Sequence, residues 1–275
     1  MKTLDFFKIH DRVAVITGGG GLMGKMHAEV VIELGGKVVL VDIDKSRLDK
    51  VKSELDRVFG NRIELYVCDI TNKKDVIRLS RYIYTKYNRL DILINNAAVN
   101  PKVESVDGKS IFPDFEGYPV ELWDVDVNVG LKGSFLCSQV LGPYLTKETG
   151  VIINISSDLG IIAPNQNLYS DLKDSKGNQY VKPVSYSVIK SGLIGLTKYL
   201  ATYMAKDGVR CNALLPGGIY AGQDEKFTNK IEQLIPLSRM AKVDDYKGSM
   251  AFLISDASIY MTGSSLIVDG GRTAW

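Results

Sequence analysis

Apolar, β-branched residues gather in short runs along the chain, and most of the gaps between them carry a helical pattern of apolar and charged positions. Arg12–Thr17 (RVAVIT) predicts a first strand, and a glycine-rich turn leads from it into a helix over about Gly24–Leu34. The alternation continues with a strand at Lys37–Val41, a helix at Ser46–Phe59, a strand at Arg62–Cys68 and a helix at about Lys73–Tyr87. A strand at Leu90–Asn95, a helix from about Glu121 to Thr146 and a strand at Val151–Ser156 follow, then a helix at Ser187–Lys206 and strands at Val209–Leu215 and Ser265–Val268. The strand runs are apolar throughout instead of alternating with polar residues, as expected of strands covered on both faces. Strand–helix alternation of this kind predicts an α/β fold: a doubly wound parallel sheet of about seven strands, helices on both faces, joined by right-handed crossovers.

Two stretches interrupt the rhythm. Asn100–Pro119 contains three prolines, and Asn165–Pro183 (NQNLYSDLKDSKGNQYVKP) is polar and rich in turn formers. No linker or repeat separates them from the rest, so the expectation is one domain over 1–275 with surface insertions at about 100–119 and 165–183. Of the 275 residues 45% are hydrophobic and 24% charged, a balance that argues against disorder. A net charge of +2 supplies no field for nucleic acid or an anionic membrane. The apolar runs are far shorter than the roughly 20 residues of a membrane helix. Residues 1–12 hold no apolar secretory core, and Cys68, Cys137 and Cys211 are widely spaced, so a reducing cytoplasm is the expected location and a disulfide framework is not. With His10 and His27 the only histidines, a His-based triad or multi-His metal site is not expected.

The first turn carries chemistry. Gly18, Gly21 and Gly24, with Leu22 and Met23 between the last two, follow a strand and open a helix. Glycines there let the backbone approach a pyrophosphate at the helix N-terminus. The second strand ends at Asp42, 24 residues after Gly18, where a carboxylate can accept hydrogen bonds from both ribose hydroxyls of NAD and would repel the 2′-phosphate of NADP. The pattern predicts a Rossmann-type site for NAD, with NADP kept open by Lys45 and Arg47. Further along, Tyr186 and Lys190 stand four apart on one helical face, where a cation can draw a phenol toward general-base use. The same spacing occurs at Tyr82/Lys86 and Tyr169/Lys173, so context has to choose.

In that context the chain resembles the short-chain dehydrogenase/reductase family over nearly its whole length. Asn95-Asn96-Ala97-Ala98 resembles the family's Asn-Asn-Ala-Gly strand end; Asn154-Ile155-Ser156-Ser157 resembles its serine motif; Pro216-Gly217-Gly218-Ile219 and Val268-Asp269-Gly270-Gly271 follow in the family's order. The resemblance implies catalytic roles for Asn128, Ser157, Tyr186 and Lys190. It implies cofactor contacts from Gly18, Gly21, Leu22, Met23, Gly24, Asp42, Ile43, Asp69, Ile70, Asn96, Ala97, Ala98, Tyr186, Lys190, Pro216, Gly217 and Ile219. The implied reaction is reversible hydride transfer between a secondary alcohol and nicotinamide. Tyr186 handles the hydroxyl proton, Ser157 hydrogen-bonds the substrate oxygen, Lys190 holds the nicotinamide ribose and lowers the tyrosine pKa, and Asn128 positions a water.

The glycine spacing departs from the family's shorter type toward its extended members, many of which act on nucleotide sugars, whereas everything downstream fits the shorter type in length and order. Ser157 and Tyr186 are 29 residues apart where the family usually has about a dozen, and Tyr169, 12 after Ser157, competes as the base. Tyr186 is preferred because a long helical pattern follows it, whereas turn formers follow Tyr169. The amide-rich segment around Asn165 and Tyr169 points to a sugar-like or polyol substrate under a lid too polar to form core. The ending Gly270-Gly271-Arg272-Thr273-Ala274-Trp275 resembles sugar or flagellin-modification oxidoreductases. An NAD-dependent epimerase or dehydratase, and a non-catalytic NAD(H) redox sensor, are the alternatives. Family analogy implies a homo-oligomer, a tetramer built on the helices about Glu121–Thr146 and Val184–Lys206.

Overall fold

In the computed structural model, residues 2–60, 62–99, 114–171, 173, 177 and 179–275 are described. Residues 100–113 of the first expected insertion, and 172, 174–176 and 178 of the second, lie outside the described residues. Seven strands, β1 (Val13–Thr17), β2 (Lys37–Asp42), β3 (Ile63–Val67), β4 (Ile92–Asn95), β5 (Val151–Ile155), β6 (Arg210–Pro216) and β7 (Ser265–Val268), form one sheet in the order β3-β2-β1-β4-β5-β6-β7. Every neighbouring pair is parallel. The chain winds outward from β1 to β3, then crosses back to continue from β4. Crossovers on opposite sides of the β1/β4 boundary leave a crevice at the carboxyl ends of the strands.

The side-chain period of two explains why the strand runs are apolar throughout. Ala14, Ile16, Val38, Leu40, Ile92 and Ile94 face α1 (Leu22–Glu33), α2 (Lys45–Phe59) and α8 (Lys247–Ile254) in one buried cluster. Their neighbours Val13, Val15, Val39, Val41 and Leu93 face α3 (Lys73–Tyr87), α5 (Gly133–Leu141) and α6 (Val184–Met204) in another. Side chains cap two of these helices: the Asp44 carboxylate accepts the Ser46 and Arg47 amides at α2, and the Asn72 side chain accepts the Lys74 amide at α3.

Three features differ from the periodicity reading. The long helix expected at Glu121–Thr146 is α4 (Val120–Val127) joined to α5 through a π-helical stretch at Asn128–Lys132, and it gives way to a 3-10 turn at Gly142–Tyr144. Between β6 and β7 lie α7 (Glu225–Glu232) and α8, eight residues each and too short to announce themselves by periodicity. The Asn165–Pro183 stretch also does contribute core: Leu168 is buried with Ile231, Ile235 and Met240, and Tyr169 packs on Phe227 of α7 at 5.6 Å between ring centroids.

α1 buries His27 completely, behind the glycine turn. Burial presses its pKa from 6.5 down to about 3, opposed by the neighbouring Asn96 side chain. Between those values the unfolded chain binds a proton that the folded one refuses, so stability falls as pH drops below 6.5. At most about 1.4 kcal/mol is lost per pH unit. Urea unfolding at pH 7 and pH 5 should show a stability loss about 2 kcal/mol smaller in His27→Leu than in the parent protein; equal losses would show that the ring does not carry this pH dependence.

Candidate active site

The carboxyl ends of the strands assemble the crevice. Gly18 leaves β1 with φ +63°, and a Cβ there would stand 2.8 Å from the Ala97 Cα. At Gly24 a Cβ would come within 2.3 Å of the Gly18 carbonyl oxygen, so the turn closes only on bare backbone. The Gly21 amide donates to Gly18 O and α1 begins at Leu22, leaving Leu22 exposed and Met23 beside the core. Asn96, just past β4, stitches the switch point. Its side-chain amide donates to the Thr17 and Gly18 carbonyls at 3.0 and 3.2 Å, while the Asn96 and Ala97 amides donate to Thr17 Oγ1.

The remaining cofactor candidates border the same edge. Asp42 ends β2 and accepts the Gly20 amide at 3.0 Å and the Asp44 amide at 3.1 Å; Ile43, beside it, is exposed. Asp69 accepts both the amide and the hydroxyl of Thr71, and Ile70 is buried against Gly133. Pro216 ends β6, the Gly217 amide donates to Val268 O, and Ile219 bridges to Ala241. Lys45 pairs with Asp49 at 2.5 Å and Arg47 with Asp44 at 3.3 Å, so each basic residue that kept NADP open has a carboxylate partner.

At the other end of the crevice, Ser157 follows β5 and Tyr186 and Lys190 project from the first two turns of α6. Tyr186 and Lys190 line one cavity with Ala98, Asp126 and Ser185. Ser157 Oγ donates to Asp158 Oδ1 at 2.7 Å and accepts the Leu159 amide at 3.2 Å. Lys190 Nζ donates to Ile155 O at 2.8 Å and lies 5.6 Å from the Tyr186 ring centroid. Ser156 donates to the Lys190 carbonyl at 2.6 Å, tying α6 to β5. Asn128 opens the π-helical stretch, a distortion that recurs at functional sites, and its carbonyl accepts the Gly133 amide.

The electrostatics differ from the expected pairing. Burial pushes the Tyr186 phenol upward; the neighbouring Ser157 hydroxyl draws it down, Asp158 adds to the rise and Arg272 opposes it. Lys190 is itself held down at about 8 by burial and by the charge of Lys182. Neither Asn165 nor Tyr169 lines the Tyr186 cavity. The Asn165 side-chain oxygen accepts the Asn167 amide, and Tyr169 is pushed up to about 12 by burial beside Phe227.

Sequence reasoning missed three groups around this cavity. Arg272 Nη1 meets Asp158 Oδ2 at 2.8 Å in a buried pair directly behind Ser157. Tyr118 and Ser185 both hydrogen-bond Asp126, at 2.7 and 2.5 Å. Lys182 Nζ stands 4.0 Å from the Tyr186 ring centroid. The reach of Arg272 across 114 positions to Asp158 left no local signal, and Lys182, which precedes the Pro183 N-cap of α6, is outside the helical spacing that pointed to Lys190.

With this geometry in hand, similarity to known proteins is direct. The short chain dehydrogenase profile matches residues 12–176, and the profile described as enoyl-(acyl carrier protein) reductase matches 175–273. The chain belongs to the short-chain dehydrogenase/reductase family and is a nicotinamide-dependent oxidoreductase acting on CH–OH groups. It is 31% identical to a 3-oxoacyl-[acyl-carrier-protein] reductase of Thermotoga maritima, over 96% of this chain and 98% of that one. It is also 31% identical to an NAD-dependent glycerol dehydrogenase of Listeria innocua, over 97% and 96% of the two chains. A short chain dehydrogenase of Leptospira borgpetersenii, solved with bound NAD+, superposes with a TM-score of 0.82 at 32% identity, covering 97% of this chain and 94% of that one. The family binds NAD(H) or NADP(H), and the glycine cradle, which a Cβ would fill, suits a dinucleotide.

Proposed function

We propose that the protein is an NAD-dependent dehydrogenase of a secondary alcohol on a sugar-like or polyol substrate, with Tyr186 as the acid/base. The observation that carries this reading is the Tyr186 phenol between Lys190 on the same helix face and Ser157 at the end of β5, beside a glycine cradle. Bound nicotinamide supplies the hydride acceptor or donor. Gly18, Gly21, Leu22, Met23 and Gly24 would hold its pyrophosphate; Asp42 and Ile43 the adenosine ribose; Asp69 and Ile70 the adenine; and Asn96, Ala97, Ala98, Pro216, Gly217 and Ile219 the nicotinamide end.

Tyr186 takes the carbinol proton. Ser157 Oγ, which donates to Asp158 and accepts the Leu159 amide, keeps one lone pair with which to hold the substrate hydroxyl beside the phenol. When the substrate is a carbonyl, rotation of the Ser157 hydroxyl turns it into a donor to the developing oxyanion. Lys190 orients the nicotinamide ribose, and Asn128 holds a water that carries the proton onward. Polar walls from Asp126, Ser185 and Lys182 suit a hydroxylated substrate, and the resemblance to a glycerol dehydrogenase points the same way.

The assembly we propose is a homotetramer in the cytoplasm. Apolar side chains stand exposed on the α4–α5 and α6 surface, among them Leu122, Val125, Phe135, Val188, Tyr199 and Tyr203. All three cysteines are buried and free, as suits a reducing compartment.

Tyr186→Phe should lower kcat by about 10²–10⁴-fold while dinucleotide affinity holds, measured by steady-state turnover and cofactor titration; retained turnover would remove Tyr186 as the base. NAD should bind more tightly than NADP, and Asp42→Ala should narrow the gap, since both Asp42 oxygens already face the glycine loop and its flank; tighter NADP binding in the parent protein would refute this. Light scattering at micromolar concentration should give four chains per particle, and a monomer would exclude the proposed assembly.

A further inference from the structure

The reaction as described leaves two charged groups of the cavity, Asp126 and Lys182, without a chemical step, and of these Lys182 is the cation. Lys182 comes from the Asn165–Pro183 stretch, and its backbone is fixed on both sides. Its amide donates to Gln166 Oε1 at 2.9 Å, and the following Pro183 is the N-cap of α6. The side chain therefore starts from a set position and lies over the Tyr186 ring, Nζ 4.0 Å from the centroid, in the cavity that holds Lys190.

Among the described residues the Lys182 ammonium makes no ion pair and donates no hydrogen bond. The carboxylates that could neutralise it are engaged elsewhere. Asp158 Oδ1 takes the Ser157 hydroxyl and the Leu159 amide, and Oδ2 takes Arg272. Asp126 takes Tyr118 and Ser185, both on Oδ2, and makes no ion pair with Lys182 among the described residues. A half-buried cation without a counter-ion is disfavoured, and desolvation, with Arg272 adding and Asp158 opposing, holds the Lys182 pKa down to about 8. The Tyr186 ring face is the partner the ammonium has among the described residues, and an incoming anion would add a charged one.

We propose that Lys182 binds a carboxylate carried by the substrate close to the carbinol on which Tyr186 acts, so that the substrate is a polyhydroxy acid and not a neutral polyol. The separation argues for closeness: Nζ lies over the ring of the phenol that takes the proton, so a molecule touching both spans only a carbon or two. A single ammonium, with Arg272 already paired, matches a monoanionic carboxylate better than a phosphate dianion, which calls for several donors. This assignment rests on Tyr186 being the acid/base of the proposed reaction.

The test uses matched pairs: D-mannonate with D-mannitol, D-gluconate with D-glucitol and D-glycerate with glycerol. Each is assayed for NADH formation with NAD and for calorimetric binding to the NADH-loaded protein, in the parent protein, Lys182→Gln and Lys182→Arg. At least one acid should exceed its neutral partner in kcat/KM by tenfold or more. Lys182→Gln should cost that acid about 10- to 100-fold, mostly in KM, and Lys182→Arg should restore part of it. The assignment is overturned if neutral polyols serve as well as the acids, if Lys182→Gln lowers kcat equally for both members of a pair, or if no acid binds or reacts. The two readings separate cleanly. NADH formed from neutral polyols alone keeps the dehydrogenase and removes the carboxylate site. Acid binding lost in Lys182→Gln without NADH formation from any substrate keeps the site and removes the dehydrogenase reading.

Discussion

A parallel sheet buried on both faces leaves almost no interior position where a polar side chain can sit unpaired. The chemistry is therefore driven to the strand ends. Asn95 and Asn154 are two of the exceptions. Lying in β4 and β5, they hydrogen-bond each other at 2.8 Å, and the network continues to Ser138 on α5 and Thr197 on α6, two helices on the same face of the sheet. Their neighbours along the chain, Asn96 and Ser156, fall at the carboxyl ends, where one stitches β4 to the glycine turn and the other fixes α6 by the Lys190 carbonyl. The placement of the Tyr186 helix over β5 depends on these end-of-strand bonds.

Charge is distributed unevenly around that corner. Arg272 is brought from the C-terminal turn to neutralise Asp158, and Asp158 in turn holds the Ser157 hydroxyl, so the last residues of the chain act on the site through two bonds. Asp126 Oδ2 accepts two hydroxyl donors, Tyr118 and Ser185, which join the residues before α4 to the start of α6. The two ammoniums beside it are held differently among the described residues: Lys190 by a backbone carbonyl, and Lys182 by an aromatic face. Burial raises the phenol and depresses both ammoniums, so each group's tendency to ionise is weakened in the direction that a polar ligand or cofactor would reverse.

The strand runs, the glycine turn and the helices α1, α2, α3 and α6 were legible in the sequence because their signals are local. Short apolar β-branched runs, a period of 3.6 and a run of glycines need no knowledge of the rest of the chain. The family motifs were legible for the same reason, since each is a short string at a strand end. Eight-residue helices such as α7 and α8 fall below what periodicity resolves, and the π-helical stretch at Asn128–Lys132 adds one residue to a turn without changing the pattern of residue types.

By itself, then, the sequence determined the alternation of elements, the two-sided burial of the strands and the family to which the chain belongs. Tertiary structure alone decided which charges meet. Asp158 and Arg272 are joined across 114 positions, and Tyr118 and Ser185 across 67, by folding of the chain and not by any local spacing. It also decided that His27 lies in the interior and that Leu168 and Tyr169, from a polar stretch, find a small core on α7. The physical reason is common to all of them. Local pattern reports the solvent exposure an element needs, whereas the partner of a charge or a ring is set by which distant elements the parallel sheet brings to the same edge.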